Sequence, residues 1–294
     1  MRRARPERRL EAHLEEQRIA PDGAALLIAC SGGPDSVALA SLLARAAPAH
    51  RWRVVLAHVN HHLRPSSWQD ECVVLSVAAR LAVSVRIAAL DGTARDEATM
   101  RQRRYAALAQ AARDEGAAVV VTAHTAEDQS ETVLLALFRG TGLEGLAGMP
   151  PRRTLEEGIE LVRPLLRISR EELHGELGAS ALPYVRDPSN ADPAFRRNAL
   201  RIALGALREE FPRLDEAVAR CAAIVSEELA GEDRSAARRR LRAALAGEVG
   251  LRDVPFERIE AALAAQRGRV HIKDGVELVI GEHGADSRVI RRTD

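Results

Sequence analysis

The chain has 294 residues, 46% hydrophobic and 29% charged, with 43 Lys and Arg against 42 Asp and Glu for a net charge of +1. That length and apolar content support a sizeable core and two domains, and the balanced charge excludes a global basic field, so any nucleic-acid contact must use local patches. Three scattered cysteines with no CxxC pair argue against a disulfide framework, a thiolate zinc site and a cysteine-ligated iron–sulfur cluster.

The N-terminus is basic but has no signal-peptide apolar stretch, and no run approaches membrane-spanning length, which predicts a cytoplasmic protein. Residues 7–19 predict a charged helix. Residues 24–30 are a short apolar run that predicts a buried strand, followed by Ser31-Gly32-Gly33-Pro34-Asp35-Ser36 and the helical residues 37–43. Strand, glycine turn and helix is the arrangement in which backbone N–H groups and a helix N-terminus cradle a phosphate. Pro34 suits the first helical turn, the serine hydroxyls can donate, and Asp35 can hold magnesium. A bare Gly-Gly turn is equally compatible with an ordinary strand–helix junction; the full string is more specific.

Further strands are predicted at 53–59, 83–88 and 117–122, and helices at 68–81, 97–115 and about 127–138. This alternation predicts an α/β fold with a doubly wound parallel sheet, whose ligands bind beyond the C-terminal ends of the strands. The segments 31–36, 58–64 and 122–131 all begin at such ends. Gly140-Thr141-Gly142-Leu143-Glu144-Gly145 matches GxGxxG but follows a helix, so the dinucleotide context is missing. There is also no GK[ST] string, which removes a Walker-type loop. Pro150-Pro151 predicts the exit from the sheet domain. The expected division is a sheet domain over 1–150 with its core at about 24–139, a connecting segment over 151–211, and a smaller, mainly helical accessory domain over 212–294. Residues 169–178 and 198–246 predict helix, the latter carrying Arg238-Arg239-Arg240-Leu241-Arg242, and β-like runs lie at 270–272 and 276–280.

Three segments carry chemistry. In His124-Thr125-Ala126-Glu127-Asp128-Gln129-Ser130-Glu131, Glu127 and Asp128 share a helix face with Glu131 at i, i+4 and i, i+3. Carboxylates at a helix start complement its dipole; a magnesium ligand beside a nucleotide explains the whole cluster better. His58-Val59-Asn60-His61-His62-Leu63-Arg64 lacks a matching metal-ligand set elsewhere and points to nucleotide or substrate contact. Glu97, Arg101, Arg104 and Tyr105 form one helix stripe, either an exposed salt-bridged face or arginines for phosphate or base. Asp187-Pro188-Ser189-Asn190 with Arg196-Arg197-Asn198-Ala199-Leu200-Arg201 reads as a turn and a basic helix start.

In order and spacing these segments, with Arg139-Gly140-Thr141-Gly142-Leu143 and Arg163-Pro164-Leu165-Leu166, resemble the N-type ATP pyrophosphatase (PP-loop) superfamily, and within it the lysidine-forming tRNA ligases, over roughly residues 25–205. Asn60, His62, Thr125 and Glu127 stand where the pattern has Asp, Gly, His and Asp. The resemblance implies an adenine nucleotide alpha hydrolase-like fold and ATP at Ser31, Gly32, Gly33, Pro34, Asp35, Ser36 and His58. It implies Mg2+ on Asp35 and Asp128, and catalytic roles for Asp35, Asp128, His124, Glu131 and Arg197. Arg64, Arg101, Arg104, Glu131 and Arg201 would contact tRNA or lysine. Expected partners are an isoleucine tRNA with a CAU anticodon, free L-lysine and a second copy of the chain as a homodimer, with no membrane. The implied reaction adenylates the wobble cytidine and replaces AMP by lysine. Another PP-loop tRNA-modifying enzyme, such as a thiolase, and a non-catalytic nucleotide-binding regulator are the alternatives.

Overall fold

The computed structural model describes residues 6–62, 66–93, 96–186, 196–230, 241, 245, 256–264, 268–273, 276–280 and 288–291. Two compact units emerge, Met1–Ala222 and Ala223–Asp294.

In the first unit, β1 (Ala25–Ala29), β2 (Arg53–Asn60), β3 (Ser84–Ala89), β4 (Val119–Val121), β5 (Arg152–Glu156) and β6 (Ile159–Val162) form one sheet in the order β3-β2-β1-β4-β6-β5. Pairing is parallel throughout except for the β5–β6 hairpin at one edge. The helices are α1 (Pro6–Glu16), α2 (Pro34–His50), α3 (Trp68–Leu81), α4 (Glu97–Asp114), α5 (Ala126–Leu137), α6 (Leu143–Leu146), α7 (Arg170–Ser180) and α8 (Arg196–Glu210).

Strand periodicity explains why the central runs are apolar without interruption: both faces of the sheet are covered. Leu26 and Ile28 point into a core with Val37 and Leu39 of α2, Val74 and Val77 of α3, and Leu173 and Leu177 of α7. Leu27 points the other way, joining Val55, Val120 and Leu161 against Tyr105, Leu108 and Ala112 of α4. The chain leaves β1 for β2 on one side and returns to β4 on the other. The C-terminal ends of β1 and β4 therefore flank the point where the strand order reverses, the crevice in which open α/β sheets bind ligands.

Three sequence expectations are corrected. Val120 and Val121 of β4 pair with Leu161 and Val162 of β6, so the sheet runs past the expected core limit at 139 and the expected exit at 150. Pro150-Pro151 precedes a hairpin whose turn uses Gly158 at φ +75°, a left-handed conformation that glycine adopts freely. The helical region expected over 198–246 is broken once within its described part: α8 ends at Glu210, and α9 (Leu214–Ala230) starts after Pro212, which supplies no N–H to continue the ladder. The boundary between units falls within α9, after Ala222, instead of at 211.

In the second unit, α10 (Phe256–Ala264) accompanies an antiparallel sheet of β7 (Gly268–Lys273), β8 (Val276–Ile280) and β9 (Arg288–Arg291). Its core contains Leu245, Ile259, Ala262, Ile272, Val276 and Leu278. The two β-like runs become β7 and β8, while β9 was not foreseen. The arginines of the 238–242 run lie outside the described residues. No described helix is long and apolar enough to cross a membrane.

Leu161 is fully buried on β6, so Leu161→Ala is expected to cost about 2–5 kcal/mol in urea unfolding, the range for truncating a core leucine. A loss below about 0.5 kcal/mol, as for a surface site, would contradict the place of β6 inside the sheet.

Candidate active site

At the end of β1 the backbone turns sharply at Gly32, whose φ of +84° disfavours any side chain; a Cβ there would also approach the Asp70 carbonyl oxygen to 3.3 Å. The hydroxyls stitch the turn together. Ser36 Oγ donates to the Gly33 carbonyl at 2.9 Å and accepts from the Ser31 N–H at 3.2 Å, and the Gly33 N–H reaches Ser31 Oγ at 3.3 Å. Gly33 caps α2, with no side chain filling the cap, and Pro34 opens the helix. The helix end thus keeps unsatisfied N–H groups facing outward, as an anion cradle requires. Asp35 sits in the same first turn.

Across the crevice, β4 leads through Thr122, Ala123 and His124 into α5. Asp128 Oδ2 turns back to accept from the Thr125 N–H at 3.0 Å, closing the helix start. Its other oxygen, Oδ1, accepts from Arg170 Nη2 at 2.7 Å and Arg197 Nη2 at 3.3 Å. Burial would raise the Asp128 carboxyl, but Arg170 and Arg197, with His124 nearby, hold it below the usual carboxylate range. Glu131, one turn further along α5, is fully buried. It accepts from Arg197 Nε at 2.8 Å and from Arg201 Nε and Nη2 at 2.8 and 2.9 Å. Arg201 is therefore bidentate, the strong geometry for a guanidinium and a carboxylate.

The Arg170 guanidinium joins the two sides. Besides Asp128, its Nε donates to Asp35 Oδ2 at 3.3 Å, while His174 Nε2, one turn along α7, donates to Asp35 Oδ1 at 2.6 Å. Glu127 accepts the Arg170 backbone N–H at 2.9 and 3.1 Å, fixing the start of α7. The three carboxylates that share a face of α5 thus meet one residue, Arg170.

His124 has Nδ1 2.9 Å from Thr122 Oγ1. Burial, reinforced by Arg163, Arg104 and Arg197 against the opposing pull of Asp128, pushes its imidazole down to about 3. It is neutral at physiological pH and can accept a hydrogen bond. Arg104 and His124 line a cavity of about 190 Å³ with Ser31, Asp35 and Ser36. Arg101, Arg104 and Arg153 lie 5.0, 5.2 and 4.9 Å from the centre of the Tyr105 ring. Burial raises the Tyr105 phenol, but Arg104, Arg101 and Arg163 outweigh it and bring it below its ordinary value. Arg163 itself is buried and donates to the Pro150 carbonyl at 2.8 Å.

A larger cleft of about 500 Å³ opens on the other side of the 31–36 turn, lined in part by Ser31, Gly33, His58, His61, His174 and Arg186. His58 Nδ1 donates to the Cys30 carbonyl at 2.9 Å, which leaves Nε2 as an acceptor. Asn60, where the motif has Asp, bonds Glu71 Oε1 at 2.6 Å and accepts from the His62 N–H at 2.8 Å, so it holds the loop after β2.

The structure therefore brings Ser31, Gly32, Gly33, Pro34, Asp35, Ser36, His58, Arg104, His124, Asp128, Glu131, Arg197 and Arg201 to the C-terminal ends of β1, β2 and β4, with Arg101 beside Arg104. Arg64 and the 187–190 motif lie outside the described residues. One role differs from expectation: both Glu131 oxygens are occupied by arginines, so its direct partner is the Arg197–Arg201 pair. Sequence reasoning missed Arg170 and His174, and it singled out Arg163 only within the Arg163-Pro164-Leu165-Leu166 segment, without a role. Ser169-Arg170-Glu171-Glu172 does carry a capping-box signature, which marks a helix start without saying what it faces.

Residues 4–207 match the PP-loop domain family. The chain is 41% identical over 222 residues to a tRNA(Ile)-lysidine synthase from Salinispora tropica, covering 74% of this chain and 66% of that protein. It is 41% identical over 251 residues to a tRNA(Ile)-lysidine synthase from Thermus thermophilus, covering 82% of this chain and 47% of that protein. The chain thus spans from about half to just under two thirds of the length of these relatives. Among solved structures, the U34-tRNA thiolase NcsA from Methanococcus maripaludis, with its [4Fe-4S] cluster, aligns with a TM-score of 0.63 over 74% of this chain and 77% of that one. At 15% identity that likeness concerns the fold alone.

Two outcomes follow from the electrostatics. Glu131→Ala leaves two guanidiniums without their buried counter-charge and is expected to cost about 3–5 kcal/mol of stability by chemical denaturation; a change under about 1 kcal/mol would contradict the clamp. The His124 ring signal, assigned in NMR spectra by its loss in His124→Gln, should stay unchanged between pH 8 and pH 5, since the ring holds no proton until the pH nears 3. A midpoint near the ordinary histidine value of about 6.5 would contradict the buried, arginine-ringed setting.

Proposed function

The chain belongs to the PP-loop domain family, and on that premise we propose that it ligates L-lysine to C2 of the wobble cytidine of an isoleucine tRNA with a CAU anticodon, consuming ATP to AMP and pyrophosphate. The product, lysidine, changes both the codon read and the amino-acid identity of the tRNA from Met to Ile. The setting is the cytoplasm, where tRNA and free lysine meet. The observation that carries the reading is the convergence of Asp35 and Asp128, from the two sides of the strand-order reversal, on one cationic group beside the 31–36 cradle. The likeness to the Salinispora and Thermus proteins supports the choice of acceptor and nucleophile.

The donor set fits Mg2+. Among the described residues no group of three or more His, Cys, Asp and Glu side chains could cage a metal, but two carboxylates that already share a guanidinium suit an ion that completes its shell with water and phosphate oxygens. Asp35 and Asp128 would hold Mg2+, which when bound neutralises charge building on the triphosphate.

The remaining work falls to the chain itself. Gly32, Gly33 and the start of α2 receive the phosphates, with Ser31 and Ser36 shaping the turn. His58 presents Nε2 toward the cleft in which the nucleotide lies. The cytidine O2 attacks the α-phosphorus, forming a P–O bond as pyrophosphate departs. The lysine ε-amine then bonds to C2, the C2–O bond breaks, AMP leaves, and the amine loses a proton. Adenylation is required because a carbonyl oxygen is a poor leaving group until it carries a phosphate. Neutral His124 contacts the cytosine as a hydrogen-bond partner, and the proton shed by the amine passes to water. Arg101, Arg104, Arg197 and Arg201 supply positive charge for RNA phosphates and the departing AMP, so positioning and charge neutralisation carry most of the catalysis.

Pyrophosphate release from ATP with total tRNA is expected to depend on lysine, and Asp35→Ala should lower lysine incorporation by about 10²–10³-fold or more, the scale for losing one electrostatic contact to the transition state. Sulfur-dependent turnover would instead identify a thiolase, and silence a nucleotide-binding regulator.

A further inference from the structure

The ion pairs at the crevice are balanced without any metal. Asp35, Asp128 and Glu131 face Arg170, Arg197 and Arg201, with His174 adding a hydrogen bond to Asp35. Arg197 and Arg201 pair chiefly with buried Glu131 and also reach Asp128 at 3.3 and 3.9 Å, whereas Arg170 is the one of the three that also bonds Asp35: it lies 3.3 Å from Asp35, 2.7 Å from Asp128 and 3.8 Å from Glu131. Its backbone is fixed by Glu127 and by the packing of Leu173 and Leu177 in the core, so only its side chain is free to turn. Burial would weaken its hold on the proton, but Asp128, Asp35, Glu131 and Glu127 outweigh that and keep it firmly charged.

We infer that Arg170 is a resident counter-cation of the magnesium site, a positioning residue that holds Asp35 and Asp128 together in the empty enzyme and must release both when metal and nucleotide enter. This rests on the magnesium–ATP reading above. A divalent cation arriving alone would meet a site already neutral and would have to break charge-assisted hydrogen bonds, so free metal binds poorly. A metal-bound triphosphate brings net negative charge, and the released guanidinium turns to it as a new partner. Metal entry is thereby tied to nucleotide entry, which spares the site from filling with metal when ATP is absent.

Competition gives a direction that a structural role does not. Binding of Mn2+ alone, read by electron paramagnetic resonance on nucleotide-free protein, is compared for the wild type, Arg170→Gln, Arg170→Lys and Asp35→Asn. Removing the competitor should tighten Mn2+ binding in Arg170→Gln by about tenfold or more, the scale of one hydrogen bond to a charged group. Arg170→Lys keeps a cation, which cannot fork between two carboxylates, and should fall between the two; it carries the test if Arg170→Gln does not fold. Asp35→Asn, made in the Arg170→Gln background as well as alone, should abolish the tightened site. Unchanged or weaker Mn2+ binding in both Arg170 variants, with binding still dependent on Asp35, overturns the role of Arg170 alone. The same titration repeated with ATP present separates the two readings: Mn2+–ATP binding that ignores Asp35 in every protein overturns the magnesium site and this inference together.

Discussion

The arrangement of this molecule depends on a buried carboxylate, Glu131, that could not exist without Arg197 and Arg201. An isolated carboxylate at full burial would cost several kcal/mol, and only paired, hydrogen-bonded guanidiniums offset that. Those guanidiniums come from α8, far along the chain from α5, so the charge requirement itself brings α8 back over the ends of the strands. Arg170 does the same for α7. The cover of the crevice is therefore set by electrostatic demand as well as by apolar packing, in which Leu173 and Leu177 of α7 and Leu200 and Leu204 of α8 are buried.

Beneath that layer the sheet supplies rigidity. Its central strands are buried on both faces, and the strand-order reversal between β1 and β4 leaves a gap where two loops can diverge. One loop is the glycine turn whose helix offers free N–H groups; the other delivers His124 and Asp128. The glycine turn and the carboxylate-bearing helix start are thus separate local solutions, each native to a strand–helix junction, that topology places side by side. α1 is tied into the same frame: Arg152 of β5 donates to the carbonyls of Gln17, Arg18 and Ile19 at its C-terminal end, and His13 Nε2 donates to the Pro164 carbonyl at 2.7 Å. The loop that carries Arg163 is thereby held from below.

Much of this was legible in the sequence because it is local. The apolar run before Ser31, the turn at Gly32 and the carboxylate spacing on α5 follow from strand and helix periodicity, and the boundaries of α3 coincide with those expected. What escaped is nonlocal. Pro150-Pro151 has the composition of a domain exit, yet a two-strand hairpin resumes the sheet, a pairing that only β4 as a neighbour explains. The partners of Glu131 were individually suspected as RNA-binding arginines, but their mutual saturation depends on the α5–α8 approach. Arg170 and His174 sit on an unremarkable amphipathic helix and acquire meaning only from what lies opposite. Asn60 looked like a disturbed catalytic position, and its bonds to Glu71 and the His62 N–H give it a structural task instead.

In the proposed reaction the cytidine oxygen is activated by direct attack on the α-phosphate of ATP before lysine replaces it. The decisive measurement uses an isoleucine tRNA carrying oxygen-18 at O2 of the wobble cytidine, with AMP analysed by mass spectrometry after turnover with ATP and lysine. The expected result is label in the AMP phosphate together with lysidine at the wobble position. Unlabelled AMP, or label retained in the tRNA while ATP is consumed, would contradict it.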